Sequence, residues 1–114
     1  MKIVNLSGKE LNFYDKDRNL IMSLKKGEED FLVVKKLEKM GEINSLAILR
    51  FSFHCPNLAN FPKEKPGVIY IVSPLLLEII EKNRFDVFSY GSEIKLENGQ
   101  ILGYSSFKRP NKFL

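Results

Sequence analysis

Five consecutive residues, Val68-Ile69-Tyr70-Ile71-Val72, are β-branched or aromatic and carry no charge. A run of that kind favours water on neither face, so it predicts a strand buried on both sides. Ser73 follows, a residue whose hydroxyl caps helix starts, and Pro74 falls where a helix's first residue has no use for its N–H. Leu75, Leu76, Leu77, Ile79 and Ile80 then outnumber Glu78, Glu81 and Lys82. This spacing predicts a short, mostly buried helix over Pro74–Asn83, with Glu78 and Lys82 placed as an acid-first ion pair. A fully buried strand needs neighbours on both edges, so the rest of the chain must supply a sheet.

It has the material to do so. Lys2–Leu6, Leu11–Tyr14, Leu20–Leu24 and Phe31–Val34 read as short extended runs separated by Ser7-Gly8, by Asp15–Asn19 and by the charged, Gly27-containing stretch Lys25–Asp30. Lys35–Met40 allows one helical turn, with Leu37 and Met40 three apart. But Gly41 follows at once and Leu46–Phe53 is extended, so the preferred reading is a strand into Gly41-Glu42, a turn at Asn44-Ser45 and a strand back. Cys55–Gly67 holds Pro56, Pro62 and Pro66 and reads as an ordered surface loop. Arg84–Phe88 is extended, and Glu93–Glu97 and Gln100–Phe107 flank Asn98-Gly99, a strong hairpin signal. The expectation is an α+β domain of about seven or eight short strands in a mainly antiparallel or mixed β-sheet, with one principal helix near residues 74–83. With 114 residues there is room for one domain, taken as 1–110, with residues 111–114 a frayed tail.

Composition narrows the chemistry. The net charge is +4, carried by 14 Lys and only 4 Arg, an excess too mild and too Lys-rich for base or phosphate recognition, so nucleic acid is not the expected partner. The lysines at 25, 26, 35, 36 and 39 cluster, as do Lys108, Arg109 and Lys112, with Phe31 and Phe53 as stacking candidates beside the first group. Interleaved Glu28, Glu29, Asp30 and Glu38 make a solvated face the simpler reading. One Cys cannot form an internal disulfide. No apolar run approaches the ~20 residues of a membrane span, and the N-terminus lacks a signal-peptide pattern, which together point to a cytoplasmic protein without a membrane partner.

No catalytic constellation stands out. His54 is the single histidine and adjoins Cys55. Neighbours on a strand face opposite ways, and two ligands are too few for zinc, so neither metal nor cofactor is expected. His54 as a general base would need Asp30 or Asp86 to orient it, and no Ser/His/Asp motif accompanies them. Asp15-x-Asp17-x-Asn19 imitates a calcium loop, but Leu20 stands where Gly is required and Lys26 where Glu is, which leaves a turn. Ser7-Gly8-Lys9 lacks the rest of a phosphate loop. The strand-to-helix junction Val72-Ser73-Pro74 is the best remaining candidate, since a helix start offers amide N–H groups and positive potential to an anion.

The chain also resembles a family of small proteins encoded by bacteriophages, prophages and plasmids. The likeness rests on Lys2-Ile3-Val4-Asn5-Leu6, on Gly67-Val68-Ile69-Tyr70-Ile71-Val72-Ser73, on Arg84-Phe85-Asp86-Val87 and on Glu97-Asn98-Gly99-Gln100-Ile101-Leu102-Gly103, and it extends to about Pro110. Where the family pattern continues Asn-Leu-Thr-Pro-His, this chain reads Asn5-Leu6-Ser7-Gly8-Lys9, so chemistry borne by a Pro-His pair is missing.

The resemblance implies a phage accessory protein in the host cytoplasm, and the residues imply binding rather than catalysis. The leading expectation is sequestration of a small anionic ligand, such as a nucleotide immune signal of the host. Asn5, Tyr70, Ser73 and Arg84 would contact it, and a homo-oligomer would supply the pocket walls. The alternatives are a protein that blocks a host protein by direct contact, through an apolar patch around Phe51, Phe53 and Phe61, and a small nucleotide-signal hydrolase using His54.

Overall fold

A computed structural model describes residues 1–80 and 84–109. It is an α+β protein with eight strands: β1 Lys2–Asn5, β2 Leu11–Tyr14, β3 Leu20–Leu24, β4 Val34–Ile43, β5 Leu46–His54, β6 Val68–Ile71, β7 Val87–Lys95 and β8 Ile101–Lys108. One α-helix, α1, spans Pro74–Ile79, and a 3-10 turn covers Leu58–Asn60. Six strands form a mixed sheet in the order β1-β6-β7-β8-β2-β3, and β4 and β5 form a separate two-stranded ribbon.

The uncharged run becomes β6, held between parallel β1 and parallel β7. Tyr70, Ile71 and Val72 are buried there, as the absence of charge requires. Ser73 caps α1 by accepting a hydrogen bond from the Leu76 N–H at 3.3 Å, and Pro74 opens the helix. The helix is shorter than the periodicity predicts. Ile80 already has extended backbone (φ −68°, ψ 159°), so α1 ends at Ile79. Glu81, Lys82 and Asn83, with the expected Glu78–Lys82 pair, lie outside the described residues, as does the expected tail.

Two clusters of side chains sit on either side of the sheet. Leu76, Leu77 and Ile80 pack with Tyr70, Val72 and Val87, and this cluster extends to Leu6, Phe31 and Cys55 from the connecting segments. On the other face, Leu11, Phe13, Ile71 and Tyr104 form a second cluster flanked by Ile3, Ile69, Phe88 and Tyr90. Phe31 departs from expectation: it lies before β4, outside any strand, and its ring is 2% exposed with its edge set against Phe61 at 5.0 Å. A ring so enclosed offers no stacking surface.

The turns fall where their residues predict. Asp15 Oδ1 accepts hydrogen bonds from the N–H groups of Asp17 and Asn19, closing the β2–β3 turn. Asn44 and Ser45 take positive φ (50° and 67°) at the tip of the β4–β5 ribbon, and Gly99 (φ 87°) turns β7 into β8.

The sheet curls, and its two end strands approach one another. The Asn5 side-chain amide, from β1, donates to the carbonyls of Lys9 (2.8 Å), Lys25 (3.0 Å) and Leu24 (3.4 Å), the last being the end of β3. Its Oδ1 accepts from the N–H and the hydroxyl of Ser7, at 3.0 and 2.6 Å. Gly27 completes this seam. A Cβ there would stand 2.6 Å from the Asn5 carbonyl oxygen, closer than two such atoms can approach.

Candidate functional site

The four residues expected to gather around a ligand are placed by the fold, and most of their polar atoms are already engaged. Asn5 holds the seam with every donor and acceptor of its amide. Tyr70 is 3% exposed; its ring meets the edge of Phe61 and its hydroxyl donates to the Lys63 carbonyl at 3.4 Å. Arg84 grips Asp86 with two parallel hydrogen bonds of 2.8 Å, donates to the Pro62 carbonyl at 3.0 Å and lies over the Phe61 ring. Tyr70 and Arg84 thus meet through one loop, Phe61–Lys63, which they both fasten to the sheet.

The Arg84–Asp86 ion pair is the enclosed electrostatic feature of this region. Its two side chains are 18% and 7% exposed, so water screens the pair little. The Arg84 guanidinium holds the Asp86 carboxyl below the usual carboxylate range, and Asp86 in turn pushes the Arg84 pKa upward. The clamp is a structural staple for the 55–67 loop.

Ser73 stands apart from this group. Its hydroxyl serves the Leu76 amide, its carbonyl accepts from the Leu77 N–H, and Pro74 has no N–H to give. Only the Leu75 amide remains in the first turn, and a six-residue helix adds little dipole. The strand end beneath is fixed by Ser89, a fully buried residue whose hydroxyl donates to the Val72 carbonyl at 2.6 Å.

Where the curl of the sheet stays open, a groove of about 430 Å³ runs along β1. Lys2–Leu6 form one wall and Lys25, Gly27, Glu28 and Glu29 the other, with Pro62 contributing. Two lysines face two glutamates, so the groove carries no net charge. It touches Asn5 and lies behind the Arg84 clamp, but it includes neither Tyr70 nor Ser73.

His54 is exposed at the base of the ribbon, and Cys55 beside it is buried, its thiol donating to Asn57 Oδ1 at 3.1 Å. Cys55 lies just past the end of β5, so the pair is separated by burial rather than by strand alternation. Among the described residues no group of three His, Cys, Asp or Glu is placed to hold a metal ion. Asp86, one of the two candidate orienters for His54, is committed to Arg84. Lys9 donates to the Tyr104 hydroxyl at 2.8 Å and lies 4.6 Å from the centre of the Tyr90 ring. Burial pulls the Lys9 pKa down, but these two tyrosines outweigh it and hold the ammonium above its usual value.

The feature that the sequence pattern did not single out as a whole is the β4–β5 ribbon. Neither strand packs substantially against another element. Lys35 pairs with Phe53, Leu37 with Phe51 and Lys39 with Leu49, which sets these six side chains on one face. The other face holds Val34, Lys36, Glu38, Arg50, Ile48 and Leu46. Ile43 and Leu46, at the tip, are 64% and 73% exposed, and Phe51 is 54% exposed. Of the three phenylalanines expected in one patch, Phe51 and Phe53 are on this surface and Phe61 is not. Phe61 is wedged between Phe31, Tyr70 and Arg84. Large apolar residues alternating on both faces, with charges between them, were the signal for a ribbon that keeps no cover of its own.

No family model, no curated protein and no solved structure matches the chain. Among the described residues no helix is long and apolar enough to cross a membrane.

Proposed function

We propose that this protein acts without catalysis, by docking the tip of its β4–β5 ribbon onto another protein. The observation that carries this reading is the exposure of Ile43 and Leu46 at the end of two strands of ten and nine residues. A strand of ten residues reaches about 33 Å, and a lone two-stranded hairpin with apolar residues in water is marginal at best. Contiguous apolar surface of this kind marks interaction sites. The resemblance to phage and plasmid proteins makes a bacterial host protein the target, and blockade of that protein the outcome, in the host cytoplasm.

Capture of a small anionic ligand, a nucleotide signal in particular, is the second reading, and the groove along β1 is the observation in its favour. Lys2 and Lys25 on its two walls would meet the charge. Of Asn5, Tyr70, Ser73 and Arg84 only Asn5 lines this groove, and it would act by shaping the wall, because its amide already has partners.

One comparison separates the two. Immobilised protein is incubated with bacterial lysate, and a Leu46→Glu variant is run beside it. The docking reading expects one stoichiometric protein retained by the wild type, lost by Leu46→Glu and indifferent to added nucleotides. Retention of nothing, together with calorimetric heat from a cyclic or ADP-ribose-type nucleotide that Lys25→Glu abolishes, would replace it with the ligand reading.

A further inference from the structure

The geometry points to a second copy of this chain on the aromatic face of the ribbon, so that the protein is a two-fold dimer displaying two ribbon tips. This rests on the reading of the ribbon as a contact element but concerns its other surface. A two-stranded ribbon has two faces, and the tip is free to engage a target while one face is covered.

Charge selects the partner's class. The ribbon carries Lys35, Lys36, Lys39 and Arg50 against Glu38 and Glu42. Glu38 pairs with Lys36 at 3.6 Å and with Arg50 at 3.0 Å, and Glu42 pairs with Lys39. The ammonium of Lys35 lies 4.2 Å from the centre of the Phe51 ring. Four cations against two carboxylates leave the ribbon a net charge of +2, too little for the charge-driven binding nucleic acids require. A partner that brings an apolar strip of its own fits better.

The pattern across the face is self-complementary. Phe53, Phe51 and Leu49 form an apolar rail on β5, and Lys35, Leu37 and Lys39 form a mixed rail on β4. A two-fold axis running along the ribbon lays each β5 rail on the partner's β4 rail. Aromatic rings then receive Leu37 and the lysine stems, the contact already made within one chain by Lys35 and Phe51, and lysines do not oppose lysines. The bulge between Lys39 and Gly41 keeps Glu42 on this face, where it neutralises Lys39.

The area suffices. Leu37, Leu49, Phe51 and Phe53 are 45–54% exposed, and half of such a side chain presents about 100 Å². Four of them give roughly 400 Å² of apolar surface, and with an apolar share of about 60% the face comes to ~650 Å² per partner. The total of ~1,300 Å² lies within the range of stable specific interfaces. A closed two-fold pairing also uses up the face, which an open-ended one would not.

Sedimentation velocity on the full chain from 1 to 100 µM, with Phe51→Glu and Leu49→Glu run alongside, tests this. Both side chains lie outside the core clusters, so circular dichroism should show the variants folded. We expect a wild-type dimer of twice 13.2 kDa and, for either variant, a dimer dissociation constant raised at least 30-fold, with Leu46→Glu still dimeric. A wild type that is monomeric at 100 µM, a dimer untouched by both substitutions, or an open series of larger species would each overturn the inference. A monomer that still captures a lysate protein through Leu46 would overturn this dimer and leave the docking reading standing. A dimer that captures nothing would do the reverse.

Discussion

At the scale of single residues, Asn5 carries more of the structure than its size suggests. One amide satisfies three backbone carbonyls and binds both polar groups of Ser7. Replacing it by Ala leaves those carbonyls without a donor in a partly buried seam. Asn5→Ala should lower the unfolding free energy by about 2–3 kcal/mol in urea titrations, whereas a residue kept only for ligand contact would leave stability unchanged. Asp86 makes a pH-dependent contribution. Arg84 depresses its pKa in the folded state relative to about 3.9 in the unfolded chain. The stabilisation is therefore complete above pH ~4 and is lost as pH falls through the folded value. Asp86→Asn should cost about 3 kcal/mol at pH 7, since it strands a half-buried guanidinium. Its penalty relative to wild type should shrink toward pH 2, and urea melts at the two pH values would show this.

Among the elements, the β2–β8 junction is the narrowest join in the sheet. Phe13 and Tyr104 are its one bridging pair, and Gly103 precedes Tyr104 in β8. A Cβ at Gly103 would stand 2.5 Å from the Asn12 carbonyl oxygen and 2.6 Å from the Tyr14 ring. Gly103→Ala should destabilise the protein by roughly 1–3 kcal/mol through forced separation of these strands, read as a fall in melting temperature. This junction also marks the limit of what the sequence reveals. The turn at Asn98-Gly99, the cap at Ser73 and the tip at Asn44-Ser45 were all legible, because each is decided by the conformational preferences of two or three adjacent residues. Phe31 was misread as part of a strand because its β propensity was outweighed by a place in the core. The parallel placement of β2 beside β8 involves residues some ninety positions apart, and no local preference encodes it.

At the scale of the whole molecule, the radius of gyration is 17.2 Å, where a compact chain of this length would have about 13 Å. The ribbon contributes to that excess, because none of its residues joins either core cluster. The fold class was legible from the strand and turn signals. The exposed phenylalanines at 51 and 53 were legible as a patch, but not its extension to Leu37 and the tip, since alternation alone does not say whether a face is covered. Each of the four proposed ligand residues also has a fastening contact within the chain: Asn5 in the seam, Tyr70 and Arg84 on the loop, Ser73 at the helix start. A site read from residue type alone does not distinguish a group that waits for a ligand from one that is spent on its own backbone.

The strand order has a consequence for biosynthesis. β2 and β3 are made well before β8, the strand that joins their hairpin to β7 in the sheet. A nascent polypeptide that has not yet delivered β8 can close the Asn5 seam but has no berth for the β2 edge of that hairpin. The six-stranded sheet can be completed only after β8 emerges, and until then the greasy ribbon is already exposed to whatever chaperone or sister chain is near.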